Sequence, residues 1–361
     1  AGAPVATPLA VPSPTASATP APSRPPAEAP APSAVRFADA RNGWLGVEDG
    51  ILGTSDGGRT WSRQLESERV VRISALDPRH AWALAADSTL YRTVDGSTWR
   101  SVPATTPPIR EVFFIDAEVG WGIASATDSS GEGLRTYPPR YPPGTLLQTT
   151  DGGEVWRPIT ERSIRSVCFA DRRSGWGADG DEVLTTADGG RTWRSVFVSG
   201  LEVGGPWRPS LVCDGMAAAR VQLAGFGAAL SHAPYVVYRT SDGGRSWTLE
   251  YAEGYTLGAS LPTRVPGLGS YPSILGTLDD GRTWVVTCTP PVDGQRFHIL
   301  RNDGGVEASG TIPLPSCAIA AQIIDRDHIV AVGYRASRSW LVASSDGGLT
   351  WQERYAGPAW D

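Results

Sequence analysis

The stretch FADARNGWLGVEDGILGTSDGGRTW, residues 37–61, contains two tight turns on either side of a short β-rich run, GILGT. In the first turn Asp39 precedes Trp44 by five residues. The second is a box, [ST]-x-D-G-G-x-[ST]-W, centred on Asp56. A box placed after a β-rich run reads as the turn of a hairpin. Such a turn leaves backbone N–H groups pointing inward, and a buried Asp carboxylate can accept several of them. Gly supplies positive φ without steric cost, and the closing Trp packs back over the sheet. The box is therefore expected to be a structural staple, with its Asp neither catalytic nor a metal ligand.

Both turns recur along the chain. The Asp-x4-Trp turn returns at Asp77 and Trp82, Asp116 and Trp121, and Asp171 and Trp176, with looser versions around Asp214 and Asp325. The box returns at Asp151, Asp188, Asp242 and Asp346, and in a form one residue shorter at Asp95. One unit thus reads as strand a, the Asp-x4-Trp turn, strand b, a loop, strand c, the box and strand d. Four antiparallel strands repeated in this way describe a β-propeller, an all-β fold.

The number of blades depends on GTLDDGRTWVV, residues 276–286, where Asp279 and Trp284 fit the spacing of either turn. In the clear units the interval from the a–b Asp to the box Asp is 17 or 18 residues (39 to 56, 77 to 95, 171 to 188). An a–b turn at Asp279 predicts a box about twenty residues on, and a degenerate one stands at Asp303 in ILRNDGGVEA, without its Trp. A box at Asp279 stays open, because it lies 37 residues after Asp242 (242 to 279). Both readings give a seven-bladed β-propeller of four-stranded antiparallel blades. The favoured one starts blades near 34, 70, 109, 163, 209, 270 and 317.

Residues 1–33 hold ten Pro and ten Ala with almost no large apolar side chain, and are expected to form an extended tether ahead of a propeller over 34–361. An Ala start followed by such a stalk suits an exported protein, at the cell surface, outside the cell or in a periplasm, whose signal peptide has been removed. A net charge of -6 and a pI near 5.4 argue against nucleic acid as a partner. The cysteines, Cys168, Cys213, Cys288 and Cys317, allow three pairings. Locality favours 168 with 213 and 288 with 317, and four buried thiols is the other reading. The four His are scattered, so no metal site is expected, and no cofactor motif occurs.

The box residues resemble those of the Asp-box, or bacterial neuraminidase repeat, of sialidases, sortilin-type receptors and some xyloglucan hydrolases. The joint pattern in residues 37–61 and 169–193 is most similar to the photosystem II assembly/stability factor group. That resemblance implies the propeller fold and, by analogy, help in assembling an envelope or membrane-associated complex. A sialidase would need an arginine cluster, a Tyr/Glu pair and an early F/Y-R-I-P segment. That segment does not occur and blade 1 offers no equivalent arginine, so catalysis is not expected.

The a–b and c–d turns are uniformly short, and length variation falls on the opposite face, in loops 124–145, 199–210, 225–235 and 254–270. Binding is expected there. These loops carry Arg135, Tyr137, Arg140, Tyr141, Trp207, Arg208, Tyr235, Tyr255 and Arg264, residue types that dominate protein interfaces. A protein partner is expected; recognition or hydrolysis of a cell-surface glycan is the alternative.

Overall fold

The computed structural model describes residues 29–105, 107–124, 144–199, 208–224, 235–253, 271–278, 282–288, 295–300, 306–314, 318–335 and 338–358. They form seven four-stranded antiparallel sheets, each built from four consecutive strands. Blade 1 holds β1 (Pro32–Phe37), β2 (Gly43–Val47), β3 (Gly50–Thr54) and β4 (Ser62–Glu66). Blade 2 holds β5 (Val70–Ala75), β6 (Ala81–Ala85), β7 (Leu90–Thr93) and β8 (Trp99–Ser101). Blade 3 holds β9 (Ile109–Phe114), β10 (Gly120–Ala124), β11 (Gly144–Thr149) and β12 (Arg157–Ile164). Blade 4 holds β13 (Ser166–Phe169), β14 (Gly175–Asp179), β15 (Glu182–Thr186) and β16 (Arg194–Val198). Blade 5 holds β17 (Arg208–Asp214), β18 (Ala218–Ala224), β19 (Tyr235–Thr240) and β20 (Thr248–Glu253). Blade 6 holds β21 (Tyr271–Thr277), β22 (Thr283–Cys288), β23 (Gln295–Leu300) and β24 (Val306–Ile312). Blade 7 holds β25 (Ala318–Ile323), β26 (Ile329–Arg335), β27 (Arg338–Ser344) and β28 (Gln352–Pro358).

The first strands of successive blades touch one another from β1 through β25, and β25 returns to β1, which closes the ring. The fold is a seven-bladed β-propeller. No blade is shared between the two ends of the chain. Blades 1 and 7 are instead joined by side chains. The Phe37 N–H donates to Gln322 Oε1 at 2.8 Å, and Gln322 Nε2 donates to the Phe37 carbonyl at 3.0 Å. The Tyr355 hydroxyl donates to the Pro30 carbonyl at 2.6 Å. Ala29 and Ala31 are buried in this joint. The packed chain therefore reaches back past the expected start at residue 34.

The ambiguous stretch at 276–286 sits between β21 and β22, the a–b position. Asp279 and Asp303 lie outside the described residues, but the flanking backbone identifies the turn. The Leu278 N–H donates to the Arg282 carbonyl at 2.9 Å. The same i to i+4 bond precedes the Asp of every clear a–b turn, as in Ala38 to Asn42, Leu76 to His80 and Ala170 to Ser174. The box segment of blade 6 then falls between β23 and β24, which is where Asp303 lies in the sequence.

In five of the six described boxes the buried group is the hydroxyl residue two positions before the Asp, a correction to the expectation of a buried carboxylate; in blade 1 Thr54 is half-buried. Thr149, Thr186 and Thr240 are almost fully buried, whereas Asp188 and Asp242 are partly exposed and Asp151 is exposed. A hydroxyl with its donor and acceptor both used is cheap to bury, and an ionised carboxylate is not. In blade 4, Thr186 Oγ1 donates to Asp188 Oδ1 at 2.8 Å and accepts the Gly190 N–H at 2.9 Å. Asp188 then takes the Thr192 N–H and hydroxyl at 2.9 and 2.6 Å. Gly189 (φ 78°) and Gly190 (φ 95°) hold left-handed conformations that a side chain would strain.

The first box glycine connects two blades. The Gly189 N–H donates to the Arg173 carbonyl in the a–b turn of its own blade at 2.7 Å. The Gly189 carbonyl accepts the indole N–H of Trp121, on β10 of blade 3, at 2.9 Å. Trp82 reaches Gly152 of blade 3 in the same way at 3.0 Å, and Trp44 reaches Gly96 of blade 2 at 3.2 Å. Trp176 bonds Gly215 in the a–b turn of blade 5 at 3.2 Å. These four indoles are essentially inaccessible to solvent. Blades 4 and 5 are also joined by a disulfide between Cys168 and Cys213. Cys317 lies outside the described residues.

Trp121→Phe keeps the ring but leaves the Gly189 carbonyl without its donor. It is expected to cost about 1–3 kcal/mol in urea denaturation. Trp61→Phe, at a box Trp whose indole N–H has no partner among the described residues, should cost less. Equal losses would show that the indole bond is not what matters. Desolvation opposes ionisation of Asp188, but hydrogen bonds from Thr192 and Thr186 outweigh it and hold the carboxyl at about 2. The hydrogen bonds of Thr350 do the same for Asp346, also about 2. The folded value lies below the unfolded one, so the unfolded chain takes up these protons first. The melting temperature should therefore not respond to these carboxyls above about pH 4, and should fall between about pH 4 and pH 2. Thr192→Val should shrink that fall.

Candidate functional site

The a–b and c–d turns leave one face of the ring, and the b–c and d–a connections leave the other. The long connections β10 to β11, β16 to β17, β18 to β19 and β20 to β21 all depart from this second, loop-bearing face. Arg135, Tyr137, Arg140, Tyr141, Trp207, Tyr255 and Arg264 lie outside the described residues. Arg208 opens β17 and Tyr235 opens β19. Register places Arg208 opposite Ala224, Ala224 opposite Tyr235 and Tyr235 opposite Glu253. These four positions form one row across blade 5 at its loop end.

Three carboxylates of this face, in blade 4, are engaged. Asp179 accepts from Arg165 Nε at 2.7 Å, Asp181 accepts from the Ser199 hydroxyl at 3.3 Å, and Glu182 pairs with Arg162. Asp128, Glu132 and Glu202 lie outside the described residues. On the outer flank, a cleft of about 520 Å³ between blades 2 and 3 is lined by Pro103, Pro107, Leu147, Val155, Trp156 and Pro158.

A second group of charges, which sequence reasoning missed, lines the ring axis. Arg36, Arg72 and Glu111 sit on β1, β5 and β9, the innermost strands of three consecutive blades. Arg72 faces Glu111 across the blade 2–3 boundary with N–O 3.9 Å. Burial pushes the Glu111 carboxyl up, opposed by the Arg72 charge. Arg36 keeps solvent contact, yet desolvation lowers its pKa, as expected of a side chain that shares a narrow axial space with water. Among the described residues nothing hydrogen-bonds or pairs with it. The available signal was a charge in the middle of an inner strand (VRF, VRI, REV), where the fold predicts apolar residues. The arrangement presents guanidinium groups to an axial ligand and offers no described carboxylate pair for hydrolysis.

No protein-family model matches the chain, and no curated protein matches it. Among solved structures, the chain is similar to an ancestral GH74 enzyme, with 14% identity and TM-score 0.63 over 92% of this chain and 48% of that one. It is similar to YCF48 from Cyanidioschyzon merolae, with 14% identity and TM-score 0.53 over 89% and 95% of the two chains. The WD40 β-propeller domain of Doa1 matches at 10% identity and TM-score 0.51 over 88% and 91%. The chain spans about half the length of the GH74 enzyme, the other two being matched nearly end to end. At these identities the likeness is one of fold.

A cation held in a desolvating space without a counter-charge costs stability. Arg36→Gln is therefore expected to leave the melting temperature unchanged or raised. A clear fall by differential scanning calorimetry would mean that Arg36 has a structural partner.

Proposed function

We propose that this chain is a non-catalytic docking propeller that binds a protein partner through its loop-bearing face. The observation that carries the reading is the asymmetry of the ring. One face is made of short turns closed on themselves by hydrogen bonds, and every long connection leaves the other. Long loops on a rigid scaffold are where recognition concentrates, and these carry Arg, Tyr and Trp side chains. The partner is a component of an envelope or membrane-associated complex. The protein is exported and carried on its Pro/Ala-rich N-terminal segment. The Cys168–Cys213 disulfide supports an oxidising compartment. The turn residues support kinship with Asp-box propellers of the photosystem II assembly/stability factor type.

The test is capture from native membranes with the full chain, alongside a Tyr141→Ala, Trp207→Ala double variant. The expected result is a co-purifying protein whose recovery falls at least about tenfold with the variant, at an unchanged melting temperature. Hits on a glycan array with no retained protein would overturn the reading. A large loss of stability in the variant would make Tyr141 and Trp207 packing residues.

A further inference from the structure

The box of blade 3 breaks a rule that other boxes keep. In blades 1, 4, 5 and 7 the residue before the box Trp is Thr or Ser, and its hydroxyl donates to the box Asp. Thr60 reaches Asp56 at 2.7 Å, Thr192 reaches Asp188 at 2.6 Å, Ser246 reaches Asp242 at 2.6 Å and Thr350 reaches Asp346 at 2.5 Å. Blade 3 has Val155 there, so Asp151 keeps the backbone N–H of that residue, at 3.0 Å, and loses the hydroxyl. Val155 is 44% exposed, an apolar side chain left in water where the repeat supplies a hydrogen bond. Both changes work against stability. A local rule broken without a packing gain is the pattern of a functional position.

Val155 lines the cleft between blades 2 and 3, together with Leu147 and Trp156. The cleft runs from the loop-bearing rim, where Pro103 and Pro107 lie in the connection from β8 to β9, down the outer flank to the blade 3 box. Pro103, Pro107 and Pro158 have no backbone N–H to be satisfied, so these walls call for apolar contact.

The chain itself holds a segment that fits. Its N-terminal part enters the ring at the joint of blades 7 and 1. There Ala31 is fully buried, its carbonyl accepts the Glu48 N–H at 3.0 Å, and the Pro30 carbonyl accepts the Tyr355 hydroxyl at 2.6 Å. Glu48 directly follows β2, which puts this entry on the loop-bearing rim. Ahead of it, the large apolar side chains of residues 1–28 are Val5, Leu9 and Val11, and two of them stand together in PLAVP, residues 8–12. Pro8 and Pro12 fix φ and bias the residues before them, Thr7 and Val11, toward extended backbone, so docking has little left to order. In an extended chain Leu9 and Val11 share one face. The 18 residues from 11 to 29 reach up to about 55 Å as extended Pro-rich chain. The cleft is two blade contacts away round a ring whose radius of gyration is about 20 Å, which makes the span about 30 Å.

We propose that the cleft between blades 2 and 3 is a docking site for an apolar, proline-flanked peptide, and that its occupant is residues 8–12 of the same chain. Leu9 and Val11 cover the exposed Val155 and lie along Leu147 and the prolines of the walls. A tethered segment is present at an effective concentration of about 1 mM, so an affinity too weak to hold a free peptide suffices.

The experiment is methyl NMR on the full chain with labelled Leu and Val. Cross-peaks from the Leu9 or Val11 methyls to those of Val155 and Leu147 are expected, unchanged on about tenfold dilution because the contact lies within one chain. Val155→Ser restores the hydroxyl that blade 5 carries at this position. It should fold with an unchanged or raised melting temperature, weaken the Leu147 cross-peaks and move the Leu9 and Val11 methyls to random-coil positions. A Leu9→Ser, Val11→Ser double variant should shift the Val155 and Leu147 methyls and leave those of Val221 in blade 5 and Val332 in blade 7 in place. Random-coil positions for Leu9 and Val11 in the unaltered chain, or cleft methyls that stay put in the double variant, would overturn the proposal. So would cross-peaks that fade on dilution, which would assign the cleft to another copy of the chain.

Discussion

The ring depends on one hydrogen bond repeated at four of its seven contacts: the N–H of a buried indole given to a glycine carbonyl in the next blade's turn. It works because the accepting glycine is already fixed. In blades 3 and 4 its own N–H is held by the a–b turn of its blade, and a buried hydroxyl holds the residue after it. A left-handed backbone then aims the carbonyl outward at the neighbour. Local turn chemistry and the assembly of the ring are thus the same set of atoms. Losing the indole bond leaves a buried carbonyl unpaired, the expensive direction of change.

Where the indole is missing or its acceptor moves, the blades differ. Between blades 7 and 1 the tryptophan position holds Val330, and Gln322 bonds both backbone groups of Phe37. Between blades 4 and 5, where the acceptor moves to Gly215, a disulfide joins the inner strands. In blade 5 the tryptophan position holds Arg220, which pairs with Glu250 of the same blade. The contacts of this propeller are therefore unequal, although its blades are similar.

The fold was largely legible in the sequence because its signals are short-range. Asp, Gly and Trp at fixed offsets report turns completed within eight residues, and the expected blade starts at 70, 109, 209, 270 and 317 fall within one residue of Val70, Ile109, Arg208, Tyr271 and Ala318. What the sequence could not report is where a side chain goes once it leaves its blade. The bonds of Trp44, Trp82 and Trp121 span 52, 70 and 68 residues, and nothing local marks their acceptors. The same limit hid the axial charges, since Arg72 and Glu111 meet only when two blades are brought together. The expected loop residues lie mostly outside the described chain, so for them the structure adds the rim from which they emerge, together with the strand positions of Arg208 and Tyr235.

The absence of a blade shared by the two ends of the chain bears on how the protein is made. Each blade is continuous in sequence and can form as it leaves the ribosome, but the joint between Phe37 and Gln322 spans 285 residues. Until blade 7 arrives, the apolar face of blade 1 formed by Val35, Phe37, Leu45, Val47 and Leu52 has nothing to cover it. A nascent ring of six blades is therefore a sticky open arc, and chains that stall late in synthesis are the ones that need a chaperone.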